Sequence, residues 1–176
     1  MKAVDFIYHI ATGSPRRRWL WTPLGPVLGA SLVVALIALA LWVDRLLRLP
    51  KFPPSEISLI CSLPFLIFGV GVMLWSLLHF ALAKGTPVPL NPPPKLVTSG
   101  PYAYVRNPMY AGAFIALIGV GVLLRSIALV LGFVPLLILL INWLLRVVEE
   151  PELEKRLGDD YLQYKNCTPR FFSRIR

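Results

Sequence analysis

Residues 24–43 form a run of 20 without one charged side chain, and three more such stretches follow at 57–83, 109–124 and 126–145. At 1.5 Å of rise per residue, a 20-residue helix covers about 30 Å, the hydrocarbon thickness of a bilayer. Peptide groups in that layer find no water, so a spanning run must bond to itself as a helix. The expectation is an all-α polytopic membrane protein with about four transmembrane helices and a cytoplasmic C-terminal helix. The third and fourth runs form a C-terminal helical hairpin with Arg125 at its turn. Pro64 interrupts the second run, which carries His79 near its end and is expected to span with tilt or a kink, and the fourth run has Pro135 and Asn142 inside it. The first run exceeds the ~7–15 residue core of a cleaved signal peptide and is read as a span.

Composition supports a membrane protein. The chain is 56% hydrophobic and 15% charged, against about 45–50% and about 25% in soluble proteins. Its net charge of +9 raises the question of nucleic acid, which the position of the charges answers. Four crossings put residues 1–23, 84–108 and 146–176 on one side, and these hold 14 of the 18 Lys and Arg. By the positive-inside rule that side is cytoplasmic, as are both termini. The basic excess is then topological, and no nucleic-acid partner is expected. Two cysteines and two histidines are too few and too scattered for a structural metal site or a disulfide framework, so no metal is expected.

Between the spans, Pro87, Pro89, Pro92, Pro93 and Pro94 make residues 84–95 an extended, stiff strap. At the N-terminus, Val4, Phe6, Ile7, Tyr8 and Ile10 suit a short interfacial helix.

Polar residues in the second half cluster at helix ends. Gly100-Pro101-Tyr102-Ala103-Tyr104-Val105-Arg106-Asn107-Pro108-Met109-Tyr110 leads directly into the third span. By composition this is either an aromatic belt with a snorkelling arginine or the wall of a site. Arg146 and Glu149 follow the fourth span; three apart on a continuous helix, they share a face and can pair or hold one ligand. Carboxylates at a bilayer boundary, here Glu149 and Glu150, need a cationic partner or water. Pro151 is expected to stop the helix or tilt the chain beyond it. Further on, Tyr161 and Tyr164 face one way on a helix, either as a lid over a cytoplasmic pocket or as anchors in the headgroups.

In order and spacing, these clusters resemble the integral-membrane methyltransferases related to isoprenylcysteine carboxyl methyltransferase and to phospholipid N-methyltransferases. The resemblance rests on Gly85-Thr86-Pro87-Val88-Pro89, Pro92-Pro93, Leu96-Val97, Gly100-Pro101-Tyr102, the stretch from Tyr104 to Tyr110, Glu149-Glu150, Leu157-Gly158-Asp159-Asp160-Tyr161, Tyr164 and Pro169-Arg170-Phe171. It implies methyl transfer from S-adenosylmethionine to a lipophilic small-molecule or lipid acceptor reached from the bilayer. It also implies a division into a cytoplasmic segment 1–23, two spans over 24–83 and a methyltransferase-like region 84–176. Carried over by motif, Tyr102, Tyr104, Arg106, Asn107, Pro108, Tyr110, Glu149, Glu150, Tyr161 and Tyr164 bind the cofactor, and Arg146 and Glu149 act at the reaction. The eukaryotic enzymes carry His at the position of Asn107. Asn marks a bacterial-looking subgroup, which implies a bacterial inner or plasma membrane and leaves prenylcysteine specificity behind. The resemblance leaves three outcomes to separate: a carboxylate or other small lipophile as acceptor, a phospholipid amine, or a silent scaffold that binds lipid or a partner.

The orientation is testable by labelling intact cells from outside with a membrane-impermeant thiol reagent. A cysteine introduced at Pro50 is expected to react and one at Lys95 to stay unlabelled; the opposite pattern would invert the topology.

Overall fold

The computed structural model describes residues 4–5, 8–9, 24–83 and 96–171. The proline strap, Arg16 to Arg18 and most of the expected interfacial helix lie outside those residues. Every regular element among them is helical: α1 (Leu24–Leu46), α2 (Ser55–Leu82), α3 (Pro108–Leu123), α4 (Ala128–Leu157) and α5 (Asp159–Cys167), with a short 3-10 turn at Gly100–Ala103. Three of these, α1, α2 and α4, are long and apolar enough to cross a membrane, whereas α3 has only 16 residues. Their outward side chains are apolar, among them Leu32, Val34 and Trp42 on α1, Ile67 and Phe68 on α2, and Leu131, Leu139 and Trp143 on α4. Such a continuous apolar exterior suits lipid and is rarely left to water.

The fourth expected span is corrected in length. Rather than ending at Leu145, α4 runs on to Leu157 and passes through Pro151. The physical reason is a wide turn over Leu145–Glu149, closed by i→i+5 bonds, in which the Glu150 amide donates to Leu145 O. An ordinary α-helical stretch restarts at Glu150, and Pro151 falls in its first turn, where a missing N–H costs little.

The described residues fall into two compact units. One comprises Gly29–Met73 and Met109–Ile141. Its core is Ala40, Leu117, Ala128, Leu129 and Val134, packed about by Val33, Leu36 and Ile37 of α1. Helices α2 and α3 approach here with almost no side chain between them. A Cβ on Gly69 would fall 2.7 Å from Gly112 O, and one on Gly119 would fall 2.9 Å from Leu66 Cγ. Glycine at these positions lets two backbones meet, the usual solution where lipid removes the hydrophobic incentive to associate.

The α3–α4 turn of this unit is tied down by polar bonds. Arg125 adopts a left-handed φ of 59°, and its Nε donates to Pro53 O at 2.8 Å. Asp44, near the end of α1, takes the Ser126 hydroxyl on one oxygen and the Ala128 amide on the other at 2.9 Å. The Leu129 amide donates to Ser126 Oγ at 3.1 Å. The carboxylate therefore answers the first orphan amide of α4, Ser126 answers the next, and the charge sits at the positive end of that helix. It is the kind of partner an acidic side chain needs at membrane depth.

The other unit comprises Leu74–Pro108 and Asn142–Arg176 with the N-terminal residues up to Leu28. It contains the ends of α2 and α4, the 3-10 turn and all of α5. All the residues of the candidate site belong to it, except Tyr110.

Replacing Asp44 by alanine strands the Ala128 amide and the Ser126 hydroxyl, at a cost of about 1–3 kcal/mol for an unmet buried group. The thermal midpoint of the purified protein in detergent is expected to fall accordingly; an unchanged midpoint would show the cap to be idle.

Candidate functional site

The site is assembled from three pieces of chain far apart in sequence. The first is the turn Gly100–Ala103. Gly100 takes φ +61°, a left-handed conformation that glycine adopts without a steric cost, and Pro101 follows in the first turn, where its missing N–H costs little. The amides of Tyr104 and Val105 both donate to Pro101 O, at 3.2 and 3.3 Å. The chain then leaves the turn with two amides still to satisfy. Arg106 N donates to Pro169 O at 2.8 Å and Asn107 N to Arg170 O at 3.2 Å, so the tail after α5 lies along this strand. Pro108 comes next, fully buried, and opens α3.

The second piece is Glu150, whose side chain is only 6% exposed. A carboxylate so buried is tolerable only if charged and polar partners replace its water. Three cations do so. Arg106 Nη1 stands 3.0 Å and Arg170 Nε 2.8 Å from Oε1, and Lys165 Nζ 3.2 Å from Oε2. Lys165 also pairs with Glu154 at 2.6 Å, a hydrogen bond that holds its ammonium above the usual lysine range. Arg170 reaches on to the side-chain oxygen of Asn142, a polar residue set in the apolar part of α4. Each cation belongs to a different segment, so one carboxylate clasps the turn, α5 and the tail.

The third piece is a group of tyrosines. Arg106 Nη1 donates to Tyr161 Oη at 3.1 Å, and Tyr164 Oη donates to Tyr102 O at 2.7 Å. The rings of Tyr161 and Tyr164 lie 6.4 Å apart, and Phe80 meets Tyr102 edge to face at 5.2 Å. Burial pushes the Tyr161 phenol up to about 12, with the Glu150 charge adding and Arg106 opposing. Burial likewise drives Tyr102 and Tyr164 well above the ordinary phenol range. All three are neutral at physiological pH, able to donate and to offer an uncharged ring face.

Within this assembly two buried polar atoms, Tyr102 Oη and Arg106 Nε, are left without a hydrogen-bond partner among the described residues. Arg106 is nine-tenths buried. A buried guanidinium N–H without an acceptor carries a cost that an anionic or carbonyl ligand would relieve.

The expected site residues therefore divide. Tyr102, Arg106, Glu150, Tyr161 and Tyr164 come together, and Asn107 and Pro108 support the strand by backbone placement. Tyr104 does not join them: it is 66% exposed. Tyr110 lies on α3 in the other unit. Arg146 and Glu149 do not pair, and Arg146 is exposed while Glu149 is half-buried. The expectation of a shared face assumes 3.6 residues per turn. In the wide turn Leu145–Glu149, residues three apart diverge around the axis. Lys165 and Asn142 are site residues that the sequence reasoning missed, and Arg170 entered it only as part of a motif. Asn142 alone offered a signal, as an amide inside an apolar run.

Comparison with known proteins bears directly on this geometry. The sequence model of the phospholipid methyltransferase family matches residues 57–160, more than half of the chain. The chain belongs to that family. The matched stretch of this phospholipid methyltransferase family member runs from α2 into the start of α5, and takes in the turn, Arg106 and the Glu149-Glu150 pair. Among curated proteins, the nickel-cobalt-cadmium resistance protein NccN of Alcaligenes xylosoxydans xylosoxydans is 30% identical over 102 residues, 58% of this chain and 43% of that protein. The chain thus spans less than half the length of this relative. No solved structure matches it.

Replacing Glu150 by glutamine leaves Arg106 and Arg170 buried without a counter-charge. Breaking a buried pair from one side costs about 3–5 kcal/mol, so a marked loss of thermal stability in detergent is expected, with limited proteolysis exposing the tail first. A variant as stable and as protease-resistant as wild type would remove Glu150 from its central place.

Proposed function

We propose that this chain transfers a methyl group from S-adenosylmethionine to a lipophilic acceptor drawn from the bilayer, at the cytoplasmic end of a four-crossing bundle in which α3 is the short span. The observation that carries the reading is the Glu150 clasp. It draws together Arg106, Glu150 and Tyr161, residues of separate motifs, inside a chain whose family is one of methyltransferases.

The residues suit the cofactor. The unmet Arg106 Nε is a donor for a carboxylate, which the amino-acid end of S-adenosylmethionine supplies. The neutral rings of Tyr161 and Tyr164 suit a sulfonium through cation–π attraction. Glu149, half-buried and without an ion pair among the described residues, is free to accept hydrogen bonds from amino or ribose groups. When bound, the cofactor supplies an electrophilic methyl on positively charged sulfur. Such a reaction asks the protein mainly for alignment and exclusion of water, which together recover roughly 7–11 kcal/mol of barrier. Arg106 and the tyrosines hold one reactant, while α5 and the tail cover it. Glu149 and Arg146 act toward the acceptor side. A carboxylate acceptor arrives ready to attack, and Arg146 can hold it. An amine must lose a proton, for which Glu149 is the nearest base in sequence to the clasp.

The family's description favours a second reading within the same chemistry, methylation of a phospholipid amine. The two separate by product: labelled cofactor fed to membranes marks either the amine headgroup fraction or another lipophile. Cofactor binding itself is tested by calorimetry on the full chain in detergent. Wild type is expected to bind S-adenosylmethionine saturably, and Arg106→Ala and Glu149→Gln to bind about 10-fold or more weakly, as loss of a charge-assisted bond worth about 1.5–3 kcal/mol requires. No saturable binding by wild type would end the enzyme reading, and binding without any labelled product would favour a silent scaffold. Equal binding by all three proteins would move the site elsewhere.

A further inference from the structure

The last turns of α2 take no part in the clasp, yet they touch the turn on which it hangs. His79 Nδ1 lies 3.0 Å from Trp75 O. A carbonyl oxygen only accepts, so Nδ1 carries the proton and the ring is tied to its own helix backbone. Trp75 braces it edge-on, ring centroids 6.1 Å apart. The far edge of the imidazole then fills the space beside Gly100: a Cβ on that glycine would clash with the ring's Nε2, Cε1 and Cδ2. The next residue, Phe80, packs on Tyr102. Consecutive side chains of one helix thus meet the first and third residues of the turn.

What the turn holds depends on where it sits. Tyr102 O receives the Tyr164 hydroxyl, and Pro101 O receives the amides that aim the chain toward Arg106. We infer that His79 is a positioning residue, a flat stop against which Gly100 seats, so that Tyr102 and Arg106 are already placed when the donor binds. The inference rests on the methyl-transfer reading and adds to it a residue outside the motifs of the site. It needs no change in the charge of the imidazole. It needs a planar group long enough to fill the space that the glycine leaves open. A turn without this stop would sample other seats, and binding would weaken by the fraction of time it is misplaced.

Substitution separates the stop from the helix bond. Asparagine at 79 keeps a donor near the Nδ1 position but ends short of Gly100; glutamine reaches the Nε2 position. In calorimetry with S-adenosylmethionine on the full chain in detergent, His79→Asn is expected to raise Kd about tenfold, the effect of a turn correctly seated about a tenth of the time. His79→Gln should stay within about threefold of wild type, and both variants should melt close to it. Gly100→Ala should weaken binding by at least as much as His79→Asn. Combining it with His79→Ala should cost less than the two changes do separately, because Cβ and ring compete for one space. Equal binding by the Asn and Gln variants, or strictly additive losses in the pair, would overturn the inference while leaving the function intact. Failure of wild type itself to bind would instead refute the methyl-transfer reading, and the inference with it.

Discussion

A single buried carboxylate organises the polar end of this protein. Glu150 lies where water is scarce, and the desolvation of its charge is offset only when Arg106, Arg170 and Lys165 are all nearby. None of the three is its neighbour in sequence, so the arrangement acts as an all-or-none condition on the turn, α5 and the tail. The interaction explains why a short C-terminal stretch of modest hydrophobicity is ordered at all. Two backbone bonds from Arg106 and Asn107 to Pro169 and Arg170 add a strand-like pairing that depends on no particular side chain. Charge therefore selects the partner segments, and the backbone bonds set their register.

The other unit obeys the same logic with another acid. Asp44 sits near the end of an apolar helix and is satisfied by the Ser126 hydroxyl and the first amide of α4. In both places a polar group in an otherwise apolar chain marks a junction between helices. Away from the Asp44 junction, glycine lets α2 and α3 approach closely, Gly69 and Gly112 being the clearest examples, and the rest of the core is apolar side chains such as Leu117 and Leu129.

How much of this was legible in advance depended on which forces set it. The helices were readable because a bilayer demands continuous apolar runs, and α1, α2 and α3 begin and end within about three residues of the charge boundaries. The hairpin was readable because Arg125 separates two such runs. The clasp was readable only as a set of motifs, since ion pairing between residues 15 to 44 positions apart leaves no periodic trace. Arg170 and Lys165 look like any tail cations until the fold delivers them to Glu150. The shared face expected for Arg146 and Glu149 is not formed, because helical spacing was assumed where the chain widens. Tyr104 shared a motif with Tyr102, but in so tight a turn two residues are enough to carry a ring from the interior to the surface. The family match stops at residue 160, just short of the tyrosines and cations of α5 and the tail, so the completing half of the site is the part with the weakest signature.

The widened turn at Leu145–Glu149 has a bearing on how chains of this kind can vary. A helix that carries one surplus residue in a single loop of backbone keeps the rotational phase of everything on either side. Removing one residue from an ordinary stretch would swing the rest of the helix by about 100° and turn Glu150 away from its arginines. Removing one here would merely tighten the loop. Homologous chains are thus free to differ by a single position just ahead of the acidic pair, so ungapped alignment across this slack segment would misassign which arginine precedes which glutamate.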